Sequence, residues 1–367
     1  MGRLEAAVML ALFGAGLVSV VDFQTRMPRE SAPAAFSGTS EAPVVPAPLA
    51  PEPEKPESTS LAPLAPRVSC SNASGSVVGA SLETSLVKVA GELFWMRHHL
   101  HDRLMDKVIA GDYESFLFSN VKPFLHTACT IKRGNVIDVG ANHGVYTLLA
   151  ASMGCTAFAY EIQPRLTPLI QYSACVNRLD NSVVVRPFAV GSTPGFTKFT
   201  ATDARGNYEG AKSGAKRETG WLGAYVNKGS KVAADDPNAV QIVTLDEEAT
   251  KLGIKWVDVF KLDVDGFEVD AINGAWQLLA RTSFFQFEIN AGDWRSSSTS
   301  AAYVATLVRL SKMFRLFLLK PRGQATGKQR YGHLYPLCPD SRSACFEGFV
   351  EDVSTNGNDN VFCIRAP

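Results

Sequence analysis

The sequence carries no excess of charge of either sign. Its 36 lysines and arginines are matched by 36 aspartates and glutamates over 367 residues. Dedicated nucleic-acid binders usually carry a basic excess, so we predict no nucleic-acid partner. The sequence also lacks the motifs of two kinds of binding site. It has no Cys-x-x-Cys pair, which would mark a structural zinc site, and no complete Gly-x-Gly-x-x-Gly, which would mark a dinucleotide site.

One long stretch is almost free of aromatic residues. Ten of the 20 prolines lie in the stretch from Pro28 to Pro66. Phe36 is the single aromatic residue of that stretch. Such a stretch buries too little apolar surface to offset the entropy of ordering it. We therefore predict a disordered Pro-rich stem over residues 25–76, followed by one globular domain over residues 77–367.

The apolar run near the N-terminus is shorter than a full membrane span. Residues 6–21 carry no charge, whereas a span needs about 20 apolar residues. No clean Ala-x-Ala cleavage site follows, so we favour an uncleaved signal-anchor over residues 1–24 rather than a cleaved signal peptide. Together with the stem and an N-glycosylation acceptor at Asn72, this predicts a single-pass type II membrane protein of the secretory pathway (Golgi or endoplasmic reticulum) with a lumenal catalytic domain.

The seven cysteines leave at least one thiol without a partner in the chain. Cys338 and Cys345 flank a short loop and form the best disulfide candidate for an oxidising compartment. Cys155 and Cys175 lie in apolar surroundings, where buried free thiols are expected.

Apolar spacing divides the globular part into a helical lead-in and a strand–helix alternation. Between Leu82 and Val108 apolar residues recur at steps of three or four, which predicts an amphipathic helix ending at Gly111, within a helical lead-in over residues 82–130. This helix would place His98 and Asp102 on a solvated face. Short apolar runs then predict strands at 135–139, 156–162, 183–190, 257–264, 284–289, 314–319 and 361–365.

The alternation predicts an α/β fold with a doubly wound, mostly parallel sheet. Predicted helices follow the first, second, fourth and fifth strands, at 146–153, 164–179, 268–280 and 302–310. No helix is predicted between the last two strands, so we expect them to form an antiparallel pair at one edge.

The glycine turn after the first strand is the most informative feature. Gly140 and Gly144 bracket a sharp turn where a ligand can approach the backbone, and the next helix offers free N–H groups to an anion. Asp138 and Asn142 lie at the same carboxyl end of the sheet, where open sheets bind ligands. These four residues are candidate cofactor-binding residues, and a bare structural turn is the alternative.

Glu161 lies 23 residues beyond Asp138, at the end of the second strand. A carboxylate at this place accepts hydrogen bonds from a ribose diol. The turn is short for a pyrophosphate and suits a nucleoside with a small, carboxylate-bearing tail. S-adenosylmethionine is such a ligand.

Four segments, in this order, resemble the FkbM family of S-adenosylmethionine-dependent methyltransferases: VIDVGANHGVYT, AYEIQP, FKLDVDGFEVDAINGA and FFQFEI. The third segment is the most specific, although the family more often has Glu where Asp265 stands. The resemblance implies a class I methyltransferase (Rossmann-like) fold with S-adenosylmethionine as cofactor. It also implies O-methylation of a hydroxyl on a sugar or other small acceptor.

Acidic residues gather where the fourth and fifth strands end. Lys261, Asp263 and Asp265 alternate with a period of two and share one face, and Glu288 ends the next strand. Charges at the end of a buried strand need a partner or a task. The structural alternative is a Lys–Asp ion pair, with Asp265 capping the following helix.

Methyl transfer to a hydroxyl requires a group that takes the proton. Asp263, Asp265 and Glu288 are therefore candidate catalytic residues, and Asp263 is also a candidate cofactor contact. His143 in the glycine turn is a further catalytic candidate, with a solvated loop histidine as the alternative. A divalent cation would serve the same purpose, but no metal site is predicted.

Two other functions stay open. Asp263-Val264-Asp265 matches the DxD metal motif of glycosyltransferases, whose usual layout has an anchor and a stem, but that function leaves the glycine turn and Glu161 unexplained. A non-catalytic binding module with the same fold is the other.

A loop at 205–231, in which basic and aromatic residues interleave, favours a glycan partner. The alternative is that this loop is mobile and solvated.

Overall fold

The computed structural model describes residues 70, 82–100, 102–201, 224–226, 232–233, 236, 239–290, 299–319, 334–356 and 358–366. The apolar run, nearly all of the stem with Asn72, and most of the loop at 205–231 lie outside them. No helix within the described ranges is long and apolar enough to cross a bilayer.

The described strands run from a hairpin near the stem to the C-terminus. In chain order they are β1 (Leu82–Val89), β2 (Glu92–His99), β3 (Asn135–Val139), β4 (Thr156–Tyr160), β5 (Val183–Arg186), β6 (Ala189–Val190), β7 (Gly195–Thr197), β8 (Phe199–Ala201), β9 (Ala224–Val226), β10 (Val240–Val243), β11 (Val257–Leu262), β12 (Thr282–Asn290), β13 (Phe314–Leu318), β14 (Tyr335–Pro336) and β15 (Asn358–Arg365).

The described helices lie mostly between the strands of the central sheet. They are α1 (Arg103–Ala110), α2 (Ser115–Leu125), α3 (Val145–Ser152), α4 (Thr167–Val176), α5 (Leu245–Lys251), α6 (Glu268–Asn273), α7 (Trp276–Leu279), α8 (Ser300–Leu310) and α9 (Ser343–Asn356), and a π-helical turn at His126–Ile131 continues α2.

An eight-stranded sheet in the order β14-β13-β15-β12-β11-β3-β4-β5 forms the centre of the domain. The neighbours β12, β11, β3, β4 and β5 are parallel, whereas β15 pairs antiparallel with both β12 and β13. The predicted α/β fold, mostly parallel with an antiparallel edge, is therefore confirmed. Short pairings of β6 and β7 with β10, and of β8 with β9, lie outside this sheet.

Each face of the central sheet packs against its own hydrophobic cluster. Along β11, Phe260 and Leu262 belong to one cluster and Val259 belongs to the other, as the period of two in a strand requires. All six residues of β11 are buried. This two-sided burial explains why the central strands are short, nearly continuous apolar runs.

The predicted helical lead-in at 82–130 is wrong over its first part. Residues 82–99 form the antiparallel hairpin β1–β2, whose turn has positive φ at Ala90 (51°) and Gly91 (93°), typical of a two-residue hairpin. The helix begins only at Arg103, where Asp102 accepts hydrogen bonds from two backbone N–H groups. It ends at Gly111 as predicted.

Three further predictions are corrected at the edges of elements. The predicted helix at 268–280 is interrupted at Gly274, because a Cβ atom there would lie 2.0 Å from the carbonyl oxygen of Gly191. The predicted strand at 183–190 is split into β5 and β6, which belong to different sheets. A helix, α9, does lie between the last two long strands, although these strands pair antiparallel as expected.

Six of the seven cysteines form disulfides: Cys70–Cys175, Cys129–Cys155 and Cys338–Cys345. The third pair was predicted. The prediction of buried free thiols at Cys155 and Cys175 is wrong, since sequence spacing carries no information about partners this distant in the chain. The buried free thiol is Cys363.

We predict that Cys175→Ser destabilises the domain by about 2–5 kcal/mol, because Cys70–Cys175 closes a loop of 105 residues in the unfolded chain. The measurement is the melting temperature of the full-length protein without reductant, with Cys363→Ala as the control for loss of a buried sulfur. Equal melting temperatures for Cys175→Ser and wild type would contradict the pairing.

Candidate active site

The turn after β3 needs glycine for backbone reasons alone. Gly140, Asn142 and Gly144 have positive φ angles of 73°, 52° and 80°, a region that favours glycine. A Cβ atom on Gly140 would lie 1.8 Å from the carbonyl oxygen of Asp263, and one on Gly144 would lie 3.0 Å from Ile170. The close approach of the segment after β11 therefore accounts for Gly140 independently of any ligand.

Asp138 connects the end of β3 to the first turn of α3. Its Oδ2 accepts hydrogen bonds from the backbone N and the Oγ1 of Thr147, at 3.1 and 2.7 Å. Its Oδ1 is buried, accepts no hydrogen bond within the described ranges, and lies 3.5 Å from the Nζ of Lys261. Thr147 was not predicted, because a threonine one turn into a helix carries no distinctive signal.

Lys261 is a buried cation at the carboxyl end of β11. Its Nζ donates to the carbonyl oxygen of Gly140 at 2.8 Å and lies 3.6 Å from Asp263 Oδ2. Burial alone would lower the pKa of Lys261, but the carboxylates of Asp263 and Asp138 raise it. The Lys–Asp ion pair of the structural alternative is thus present, and Lys261 stays charged.

The candidate carboxylates Asp263, Asp265 and Glu288 come to one edge of the sheet. The parallel register pairs Leu262 with Phe287, so Asp263 and Glu288 are the next residues on neighbouring strands. The side chain of Asp263 keeps 36% of its surface exposed. The three carboxylates therefore share the edge at which open parallel sheets bind ligands.

The buried side chain of Glu268 fixes the loop after Asp263 by hydrogen bonds to its backbone. Its Oε1 accepts hydrogen bonds from the backbone N of Val264 and of Gly266, both at 3.1 Å, and its Oε2 accepts one from Tyr303 at 3.0 Å. The N-cap position of α6 is Phe267, so the alternative that placed Asp265 at this cap does not hold. Asp265 instead occupies a left-handed position with φ 49°.

Glu161 lies at the end of β4, as predicted, and is buried. Its Oε2 accepts a hydrogen bond from the backbone N of Asn142 at 2.8 Å, and its Oε1 accepts one from Gln163 N at 2.9 Å. Burial raises the pKa of Glu161, and these two hydrogen bonds oppose the shift. A carboxylate has about four acceptor positions, so the two backbone contacts leave capacity for a diol.

The structure buries His143 between Asn142 and Asp102. Its ring is fully buried, with Nδ1 2.6 Å from Asn142 Oδ1 and Nε2 3.5 Å from Asp102 Oδ2. Burial, followed by His99 and His98, lowers its pKa to about 3, so the ring is neutral. The solvated-loop alternative for His143 is wrong, and so is the solvated face for His98 and Asp102, which are both buried.

Glu114 is a residue of this region that sequence reasoning missed. It lies just before α2, with a positive φ of 42°, and its Oε2 accepts a hydrogen bond from Tyr146 at 3.4 Å. Burial, and next the charge of Asp263, raise its pKa to about 7, against the opposing charge of Lys261. Only the fold brings Glu114 to the end of β11, so no local pattern could have found it.

Residues 138–307 match the family model of the Methyltransferase FkbM domain. The matched range begins at the buried aspartate of the glycine turn and includes every strand end described above. The chain carries an FkbM methyltransferase domain. Methyl transfer is therefore its chemistry, and the class I methyltransferase fold expected from the sequence is confirmed. A comparison with curated protein sequences finds no match.

Solved structures of similar fold include methyltransferases from several bacteria. One is a SAM-dependent O-methyltransferase from Thermotoga maritima, at 14% identity and TM-score 0.33, with 77% of this chain and 78% of that one covered. A SAM-dependent methyltransferase from Agrobacterium tumefaciens has 9% identity and TM-score 0.36, covering 79% and 72%. A 16S rRNA methyltransferase from T. Thermophilus has 11% identity and TM-score 0.35, covering 80% and 52%. The fold assignment rests on the strand order and the domain match.

The FkbM domain's carboxylate edge fits a positively charged methyl donor. Asp138 and Asp263 lie 3.5 and 3.6 Å from the ammonium of Lys261, and the charges of Lys261 and Asp263 both act on the pKa of Glu114. Within the described part of the chain, three carboxyl groups thus face one cation. The buried Oδ1 of Asp138 retains acceptor capacity. S-adenosylmethionine, with its sulfonium and ammonium groups, carries the complementary charge.

We predict that Glu268→Gln gains stability relative to wild type as the pH rises. Burial raises the pKa of Glu268 from its ordinary 4.5 to about 7, so the folded wild type keeps a proton that the unfolded chain releases between these values. Wild-type stability from this group is present below pH 4.5 and is lost as the pH rises to 7, whereas Gln does not titrate.

Urea unfolding of both proteins at pH 5, 6, 7 and 8 measures this difference, which is at most about 1.4 kcal/mol per pH unit. Glu347→Gln, on the exposed face of α9, is the control. A stability difference that is flat across this range would contradict a protonated Glu268.

Proposed function

We propose that this protein is an S-adenosylmethionine-dependent O-methyltransferase that methylates a hydroxyl of a glycan or other small acceptor. The observation that carries the proposal is the convergence of Asp263, Asp265 and Glu288 at the edge of the sheet beside the glycine turn. The FkbM domain supplies the methyl-transfer chemistry, and the carboxylates supply the acceptor of a hydroxyl proton.

In this proposal the cofactor is held at the ends of β3 and β4. Glu161 accepts hydrogen bonds from the ribose diol, in addition to those from the backbone of Asn142. The turn from Gly140 to Gly144 would border the tail, and Asp138 and Asp263 would supply negative charge to its ammonium group. When bound, S-adenosylmethionine supplies an activated methyl group to a nearby nucleophile.

The chain's own contribution to the reaction is to position the acceptor and remove its proton. A sugar hydroxyl is a weak nucleophile at neutral pH, and a positioned carboxylate that takes its proton contributes about 10²–10⁴-fold. Asp263 lies 3.6 Å from the ammonium of Lys261, beside the glycine turn. We assign proton removal to the carboxylates Asp263, Asp265 and Glu288. Glu288 follows the register partner of Leu262 on the neighbouring strand, and Asp265 lies two residues beyond Asp263 in the chain.

A glycosyltransferase that uses Asp263 and Asp265 as a DxD motif fits the site less well. The ammonium of Lys261 lies 3.6 Å from Asp263 Oδ2, and its charge would repel a divalent cation bound there. No group of three or more His, Cys, Asp or Glu residues in the described part of the chain is placed to hold a metal ion. The glycine turn and Glu161 also have no role in that function.

We place the enzyme in the secretory pathway as a type II membrane protein anchored by residues 6–21. Three disulfides support this placement, because disulfides persist in oxidising compartments and are rare in the cytosol. The stem and the Asn72 acceptor are consistent with a lumenal domain.

We predict that Asp265→Asn and Glu288→Gln lower methyl transfer by about 10²–10⁴-fold if their carboxylates act as the base, while S-adenosylhomocysteine still binds. Asp263→Asn should lower both transfer and binding, because it also faces the cofactor. The assay is transfer of a tritiated methyl group from S-adenosylmethionine to a pool of released cellular glycans, with calorimetry for binding.

The matched control for these variants is Asp106→Asn, an exposed carboxylate on α1. Full transfer in all three site variants would place the proton acceptor elsewhere. A wild-type protein that does not bind S-adenosylhomocysteine would refute the proposed function itself.

We predict that the full-length protein in cells sediments with membranes and carries an N-glycan at Asn72. Treatment with peptide N-glycosidase should increase its gel mobility, and Asn72→Gln should abolish that increase. A protein in the soluble fraction whose mobility ignores the glycosidase would overturn the placement.

A further inference from the structure

Glu114 has no role in the proposed reaction as described above, although it lies at the same site. It belongs to the short connection between Gly111, which ends α1, and the start of α2, well before the glycine turn in the chain. The groups that face its carboxylate are Tyr113, Tyr146, Lys261 and Asp263. Glu114 thus faces groups from three separate parts of the chain: the neighbouring Tyr113, the helix α3 and the end of β11. It therefore lies at the edge of the sheet where the ligand would bind.

The charges around Glu114 do not balance. The Oδ2 of Asp138 accepts two hydrogen bonds from Thr147, and its Oδ1 lies 3.5 Å from the Nζ of Lys261. Glu114 and Asp263 then both interact electrostatically with the ammonium of Lys261. The charge of Asp263 is, after burial, the strongest influence raising the pKa of Glu114. Within the described residues, Lys261 is the cation that acts on both carboxylates, so a second positive charge would be stabilised beside them.

The strand order indicates which part of a bound nucleoside would reach this place. The sheet runs β11-β3-β4, with Glu161 at the end of β4 and Asp263 at the end of β11. A nucleoside whose ribose binds Glu161 must extend its tail across the end of β3 toward β11. The tail of S-adenosylmethionine bears an α-ammonium group.

We propose that Glu114 binds the α-ammonium group of the methyl donor, together with Asp263. This inference rests on the proposed function, since it requires the same cofactor at the same strand ends. The bound ammonium supplies the positive charge that the pair of carboxylates lacks. It therefore favours the ionised form of Glu114.

The test compares two ligands that differ only in the amino-acid tail. S-adenosylhomocysteine carries the ammonium, and 5′-methylthioadenosine lacks the tail while keeping the adenosine and sulfur. Glu114→Gln in the full-length protein should weaken S-adenosylhomocysteine binding by about 10–100-fold, the range for a hydrogen bond to a charged group. Binding of 5′-methylthioadenosine should change by less than about twofold. Calorimetry measures both, with Asp106→Asn as the control.

The pH dependence of wild-type binding gives a second measurement that needs no variant. Glu114 with a pKa of about 7 is protonated in the free protein below that pH. Affinity for S-adenosylhomocysteine should therefore fall as the pH decreases from 7.5 to 5.5, by at most about tenfold per unit. Affinity for 5′-methylthioadenosine should fall less. This arm keeps the inference testable if Glu114→Gln does not fold.

The outcomes separate the two proposals. Unchanged S-adenosylhomocysteine affinity in Glu114→Gln, or equal weakening of both ligands, overturns the role of Glu114 and leaves the proposed function standing. A wild-type protein that binds neither ligand overturns the proposed function and this inference with it. Weakening confined to the ligand with the ammonium supports both.

Discussion

The buried ammonium of Lys261 is the interaction on which the geometry of the site depends. An unpaired charge at the interior end of a parallel strand would be very costly, so its partners are held close: Gly140 O at 2.8 Å, Asp138 at 3.5 Å and Asp263 at 3.6 Å. These partners belong to the glycine turn, to β3 and to the segment after β11. Removing one partner of a buried pair costs about 3–5 kcal/mol, so one side chain fixes the end of β11 relative to the end of β3 and its glycine turn.

Two buried glutamates extend the same principle to the loops. Glu161 accepts hydrogen bonds from the backbone of the glycine turn and of the segment after β4, and Glu268 accepts them from the loop that carries Asp265. Sequence reasoning gave Glu161 a ligand to bind and predicted no role for Glu268. In the structure the first task of both glutamates is to satisfy loop N–H groups that no helix or strand satisfies. The loops around the candidate site are therefore set before any ligand binds.

The fold was largely predictable because its central strands are buried on both faces and are nearly continuous apolar runs in the sequence. The hairpin β1–β2 was not predictable, because the apolar residues of 82–99 fit both the helical spacing of three or four and the strand spacing of two. Leu86 and Leu93 fit the helical spacing but are exposed, whereas Phe94 and Met96 alternate and are buried. In the site, the strand-end residues Asp138, Glu161 and Asp263 were predictable from position alone. Glu114 was not, since its contact with β11 is created by the path of α1 and α2.

Charge balance at this edge bears on function more directly than any single residue does. The chain as a whole is neutral, yet within the described residues Lys261 is the cation that faces Glu114, Asp138 and Asp263. Its ammonium lies 3.6 Å from Asp263 Oδ2, where a divalent metal would have to bind. Among these four groups one negative charge is uncompensated when Glu114 is protonated, and a second when it is ionised. A site of that charge suits a singly charged cationic group held by hydrogen bonds. The donor's ammonium meets that description, which is why the charge balance supports methyl transfer over metal-dependent sugar transfer.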